Sequence, residues 1–161
     1  MITVLAERPQ EILRFRAASW PYQRTFITPL RNLAQFAADI LTSFPVEEAV
    51  LSTDEVVFEP REVLQLCADN SIELENFWKF TFRAKGQQNV AELLEAMLGD
   101  WIDFVFVPTT ESFAIYADHD EYTTFYTPNQ SLLSELVTKL ERAGFKSVTN
   151  YTRGTSDKKW R

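Results

Sequence analysis

At 161 residues, 45% of them hydrophobic and thirteen of them phenylalanine, the chain is long enough to bury one sizeable core and too apolar to be disordered. A net charge of −7 argues against a nucleic-acid partner, because phosphate-backbone binding relies on clustered lysine and arginine. A single cysteine, Cys67, excludes an internal disulfide and a multi-cysteine zinc site, and with no apolar leader after Met1 and no run of eighteen apolar residues the expectation is a cytoplasmic protein with no membrane partner.

Taken in order, Pro9 can open a short helix with Ile12, Leu13 and Phe15 that Pro21 closes. This stretch is rich in arginine (Arg8, Arg14, Arg16, Arg24 and Arg31). Thr28-Pro29 has the look of a helix cap and first residue, followed by Leu33, Ala37, Ile40, Leu41 and Phe44 at helical spacing up to Pro45. Two short extended pieces, Glu48 to Ser52 and Glu55 to Phe58, come next, and Pro60 starts a helix through Ala68 that contains Cys67 on an apolar run.

Phe77 to Arg83 alternates, with Trp78, Phe80 and Phe82 on one side, and predicts a strand with one dry face. Asn89 to Glu92 resembles a capping box, and Val90, Leu93, Leu94 and Met97 form the buried stripe of a helix ended by Gly99. Phe104-Val105-Phe106-Val107 is an unbroken run suited to a central strand buried on both faces. Phe113 to Ala117 and Tyr122 to Tyr126 then predict a hairpin about the Asp118-His119-Asp120-Glu121 tip, with Ala117 opposite Tyr122 and Phe113 opposite Tyr126. Leu132, Leu133, Leu136, Val137 and Leu140 mark a last helix ending at Gly144, before a final strand from Phe145 to Tyr151.

The fold expected from this pattern is α+β: a mainly antiparallel sheet of about five strands with helices packed on one face. Residues 1–152 form a single domain, and 153–161, with four basic residues against one acid, a mobile basic tail.

Charge is distributed unevenly. From Gly86 to Thr138 there is no lysine or arginine, while nine acids occur: Glu92, Glu95, Asp100, Asp103, Glu111, Asp118, Asp120, Glu121 and Glu135. With −7 overall, the rest of the chain is net positive, and one negative surface patch is expected. The Asp118–Glu121 tip holds the only histidine. It has the donor types of a metal site, but consecutive residues diverge around a turn, and no H-E-x-x-H, calcium loop, G-x-S-x-G or phosphate-cradling glycine loop accompanies it. No catalytic residue, metal ligand or cofactor is therefore assigned.

The expected function is that of an acidic binding protein, an inhibitor or immunity-type (antitoxin-like) protein covering a basic surface of a partner such as a toxin or nuclease domain. Its contact residues would be Asp103, Glu111, Asp118, His119, Asp120, Glu121 and Tyr122. The alternatives are a metal-dependent hydrolase or nuclease using the tip and an adaptor domain in a homo-oligomer, so that both monomer and homodimer stay open.

Overall fold

A computed structural model describes residues 1–110 and 113–155. Its elements run β1 (Ile2–Val4), α1 (Gln10–Ala17), β2 (Tyr22–Ile27), α2 (Leu33–Ser43), β3 (Glu48–Glu55), α3 (Arg61–Asp69), β4 (Thr81–Lys85), α4 (Gln87–Gly99), β5 (Asp103–Pro108), β6 (Ala114–Ala117), β7 (Tyr122–Thr127), α5 (Gln130–Arg142) and β8 (Ser147–Val148). The strands form one sheet in the order β1-β4-β3-β5-β6-β7-β2-β8, and each neighbouring pair is antiparallel. The α+β class is as expected, but the described sheet has eight strands rather than about five. The additional ones are β1 and the half-polar β2; of the two pieces expected on either side of Thr53-Asp54, the first continues through Thr53-Asp54 to Glu55 as β3, and Val56 to Phe58 are not a strand.

Strand β5 lies inside the sheet, and all six of its residues are buried. Alternation along it sends Phe104 and Phe106 into a large core with Phe36, Ile40, Leu51, Leu94, Met97, Phe125 and Leu136, while Val105 and Val107 join Ile12, Phe15, Val50, Tyr116 and Tyr126 on the opposite face. Helices α2, α4 and α5 cover the first face, with α3 against α4, and α1 lies on the second, over β3 and β5. Helices on one face only is therefore corrected: Ile12 and Phe15, each 1% exposed, are the apolar stripe that α1 must hide, and Val50, Val105 and Val107 are the surface that receives it.

The β6–β7 hairpin differs from expectation by one residue of register. Ala117 lies opposite Thr123, Tyr116 opposite Thr124 and Ala114 opposite Tyr126. The Asp118 N–H donates to the Tyr122 carbonyl at 2.9 Å, so the loop holds three residues, His119, Asp120 and Glu121. Glu121 takes the left-handed conformation (φ 90) that closes such loops. The slip turns Tyr122, Thr124 and Tyr126 away from the main core and brings Phe125 into it, against Phe26 and Phe36. Strand β4 likewise begins at Thr81, leaving Phe77 and Trp78 in the preceding loop.

No helix among the described residues is long and apolar enough to cross a membrane. Truncating Phe106, fully buried between the helix layer and its strand neighbours, tests the central-strand assignment. Phe106→Ala should cost about 3–5 kcal/mol, read as a lower urea midpoint with an unchanged slope.

Candidate functional site at one end of the sheet

Antiparallel pairing collects the ends of β1, β2, β3 and β6 with the starts of β4, β5 and β7 at one end of the sheet. The cross-strand neighbours Val4↔Phe82, Ser52↔Thr81, Glu55↔Asp103, Phe104↔Ala117 and Ile27↔Tyr122 mark this end. The Asp118–Glu121 tip lies here, and so do side chains that the sequence reading did not connect with it.

Asp103, the first residue of β5, is fully buried. Its Oδ1 accepts from the backbone N–H of His119 at 2.6 Å and lies 2.7 Å from His119 Nδ1. His119 Nε2 lies 3.4 Å from Asp120 Oδ1. A β-bulge between Thr53 and Glu55 sets Glu55 opposite Asp103, and one ligand-type atom from each of Glu55, Asp103 and His119 falls within 4.8 Å of the others. The Asp103 hydrogen bond pushes the His119 pKa above its ordinary 6.5, with the charges of Asp103, Asp120 and Glu55 acting in the same sense and desolvation opposing them.

Asp118 points the other way and is 3% exposed. Its Oδ1 accepts from the N–H groups of Asp120 and Tyr122 at 2.9 and 3.0 Å, the local bonding by which aspartate shapes a turn. Its Oδ2 is paired with the Arg153 guanidinium. Arg153 lies 4.3 Å over the Tyr116 ring and donates to Tyr151 Oη at 3.1 Å. Its backbone N–H donates to Gln23 Oε1 at 2.8 Å, and its carbonyl accepts from Gln23 Nε2 and Tyr126 Oη, each at 3.2 Å. Arg153, expected as the first residue of a mobile tail, is thus built into the second face of the sheet; 156–161 fall outside the described residues.

The expected contact residues separate accordingly. Asp103 and Asp118 are interior, His119 is partly covered, and Tyr122 is half-buried with its ring 4.8 Å from that of Tyr151. Asp120 and Glu121 are exposed, and Glu111 lies outside the described residues.

The wider acidic stretch does not make one patch either. Asp100 is buried and accepts from the N–H groups of Glu62 and Val63 at the start of α3, at 3.0 and 2.8 Å. Glu92 and Glu95 face a groove with Glu62 and Asp69 between α3 and α4, and Glu135 is exposed on α5. Near the tip, exposed Glu55 and Glu59 lie at and beyond the end of β3, outside the lysine-free window.

Exposed apolar side chains occur along the same end, on different strand ends: Ile27 and Leu30 (85% exposed) at and after β2, Val57 and Phe58 (56%) after β3, and Trp78 (52%) before β4. Trp78 packs on Phe77 with ring centroids 4.8 Å apart. Lys79, Arg31 and Arg8 stand among them, Arg8 donating to the Thr53 carbonyl at 3.3 Å. No family model, curated protein or solved structure matches the chain.

Two measurements separate the interior from the exposed part of this site. Arg153→Ala leaves the buried Asp118 carboxylate without its counter-charge and should cost about 3–5 kcal/mol, whereas Asp120→Ser should change stability by no more than about 0.5 kcal/mol, both by urea denaturation. Because the folded state raises the His119 pKa, the stability it contributes is fully present below the ordinary value of 6.5 and is lost as pH rises through the folded value. The stability difference between the wild type and His119→Gln should therefore be largest below pH 6.5 and shrink as pH is raised above it, as measured by denaturation at each pH.

Proposed function

We propose that this chain is a binding protein that docks through the loop end of its sheet onto a basic surface of a partner protein, as an inhibitor or immunity-type protein does. One observation carries the reading: the exposed carboxylates Glu55, Glu59, Asp120 and Glu121 share that end with exposed Trp78, Phe58 and Leu30. Carboxylates at a rim raise the rate of encounter with a cationic surface and suppress wrong partners. Exposed aromatic rings supply the buried anchors on which interface energy concentrates. The loops that hold them are fixed by a sheet whose interior strands are fully packed, so little ordering is left for the moment of binding.

The experiment immobilises the protein, captures partners from the lysate of its source at low salt, and repeats the measurement with the purified partner. A basic protein should be retained whose association slows with added salt. Asp120→Lys combined with Glu121→Lys should slow its association at least about tenfold, and Trp78→Ala should act mainly by speeding dissociation. An unchanged association rate for the charge-reversed variant, or a retained partner with no basic surface, overturns the reading.

A further inference from the structure

We infer that Glu55, Asp103 and His119 form a binding site for a divalent transition-metal ion. The three come from separate parts of the chain: the end of β3, the start of β5 and the β6–β7 loop. Their ligand atoms nonetheless lie within 4.8 Å of one another. The bulge between Thr53 and Glu55 is what aligns Glu55 with Asp103, and bulges commonly re-aim a side chain in this way. The same juxtaposition could not be read from the tip alone, because Asp118 is committed to Arg153 and only His119 of the tip joins the set.

The donor chemistry selects the class of ion. One imidazole nitrogen with two carboxylate oxygens suits zinc or manganese better than calcium or magnesium, which prefer oxygen alone. Zinc bonds of about 2.0–2.2 Å in tetrahedral geometry hold ligand atoms roughly 3.3 Å apart. Asp103 Oδ1 and His119 Nδ1 are now 2.7 Å apart; an ion takes the place of the hydrogen between them, whose proton passes to solvent from the imidazolium or moves to Nε2 in the neutral ring, and the pair opens by a fraction of an ångström.

Burial and exposure are divided in the way such a site needs. Asp103 is 0% exposed and fixed by the backbone of His119, so one ligand is held in a medium of low polarity. Glu55 is exposed, so an ion can enter and keep water on that side. Asp120, whose Oδ1 is 3.4 Å from His119 Nε2, adds negative charge. Neither Glu55 nor Asp120 has a lysine or arginine partner among the described residues. The inference shares Glu55 and Asp120 with the docking reading above but does not rest on it, since that reading needs the rim's charge and rings but no ion.

The chain's single histidine makes the test direct. Zn²⁺ is titrated into the full chain by calorimetry while the imidazole C–H resonances are followed by NMR. The expected result is one Zn²⁺ per chain, with the His119 resonances shifting until that equivalent is reached and a higher thermal midpoint in Zn²⁺. Glu55→Gln, at an exposed position and so expected to fold, should weaken binding at least about tenfold; His119→Ala should abolish the stoichiometric site. Zn²⁺ binding that leaves the histidine resonances unmoved places the ion elsewhere, such as the groove of Glu62, Asp69, Glu92 and Glu95, and overturns the inference. So does a Glu55→Gln variant that binds as the wild type does, or Mg²⁺ binding as tightly as Zn²⁺.

Discussion

The two-sided burial of β5 is the constraint on which the rest of the structure depends. A strand whose successive side chains are Phe, Val, Phe and Val offers apolar surface to both sides of the sheet, so a single helical layer cannot cover it. The four-helix side supplies the larger core, and the N-terminal helix α1 must return to the opposite face to shelter Val105 and Val107. With α1 in place, the arginine-rich start of the chain is held against the second face. Arg83 of β4 then pairs with Glu11 of α1 at 2.7 Å and with Glu48 of β3 at 3.0 Å. The hydrogen bond to Arg83 lowers the Glu11 pKa and favours its charged form despite partial burial.

This dependence explains what was legible in the sequence. The β5 run needs no partner to be recognised, since its composition alone excludes an exposed face, and the stripes of α4 and α5 are similarly self-evident. Strand β2, Tyr-Gln-Arg-Thr-Phe-Ile, carries no such signal, because its place is secured by polar pairing: Thr25 Oγ1 meets Thr124 Oγ1 at 2.7 Å. In β3, Ser52 meets the Thr81 hydroxyl at 2.8 Å, and Thr53 exchanges hydrogen bonds with the backbone of Phe80. Hydroxyls in a sheet interior look like loop residues until their partners, far away in sequence, are known. The hairpin register was hidden for a related reason: a three-residue loop normally announces itself with glycine at the left-handed position, and here that position is Glu121.

The candidate site was legible as a place but not as a set of roles. Asp118, His119, Asp120 and Glu121 are consecutive, and their spacing suggested one charged tip; a turn instead sends neighbours in opposite directions. Asp118 goes under the chain to Arg153, 35 positions later, His119 goes to Asp103, 16 positions earlier, and Asp120 stays in solvent. Arg153 stands in a basic run that by composition alone reads as a solvated tail, and its fixed position comes from distant partners: the Tyr116 ring, the Asp118 carboxylate, Gln23 and Tyr126. The Trp78-Phe80-Phe82 alternation continues past the start of β4, so a side chain that matched the buried series stands in solvent.

A carboxylate has different consequences inside and outside this fold, and that difference governs what the uneven charge pattern can do. Asp100, Asp103 and Asp118 each accept at least two hydrogen bonds within the protein. They organise, respectively, the start of α3, the position of His119 and the shape of the hairpin loop. Interior charges of this kind make a poor steering field, because their interactions are satisfied locally, but they make the loops that surround them rigid. The field at the loop end falls to Asp120, Glu121, Glu55 and Glu59, of which the last two were supplied by a stretch that also contains bases. Within the stretch from 86 to 138 that lacks lysine and arginine, Asp100, Asp103 and Asp118 therefore serve architecture: they stand at strand ends and turns where backbone N–H groups, His119 and Arg153 receive them.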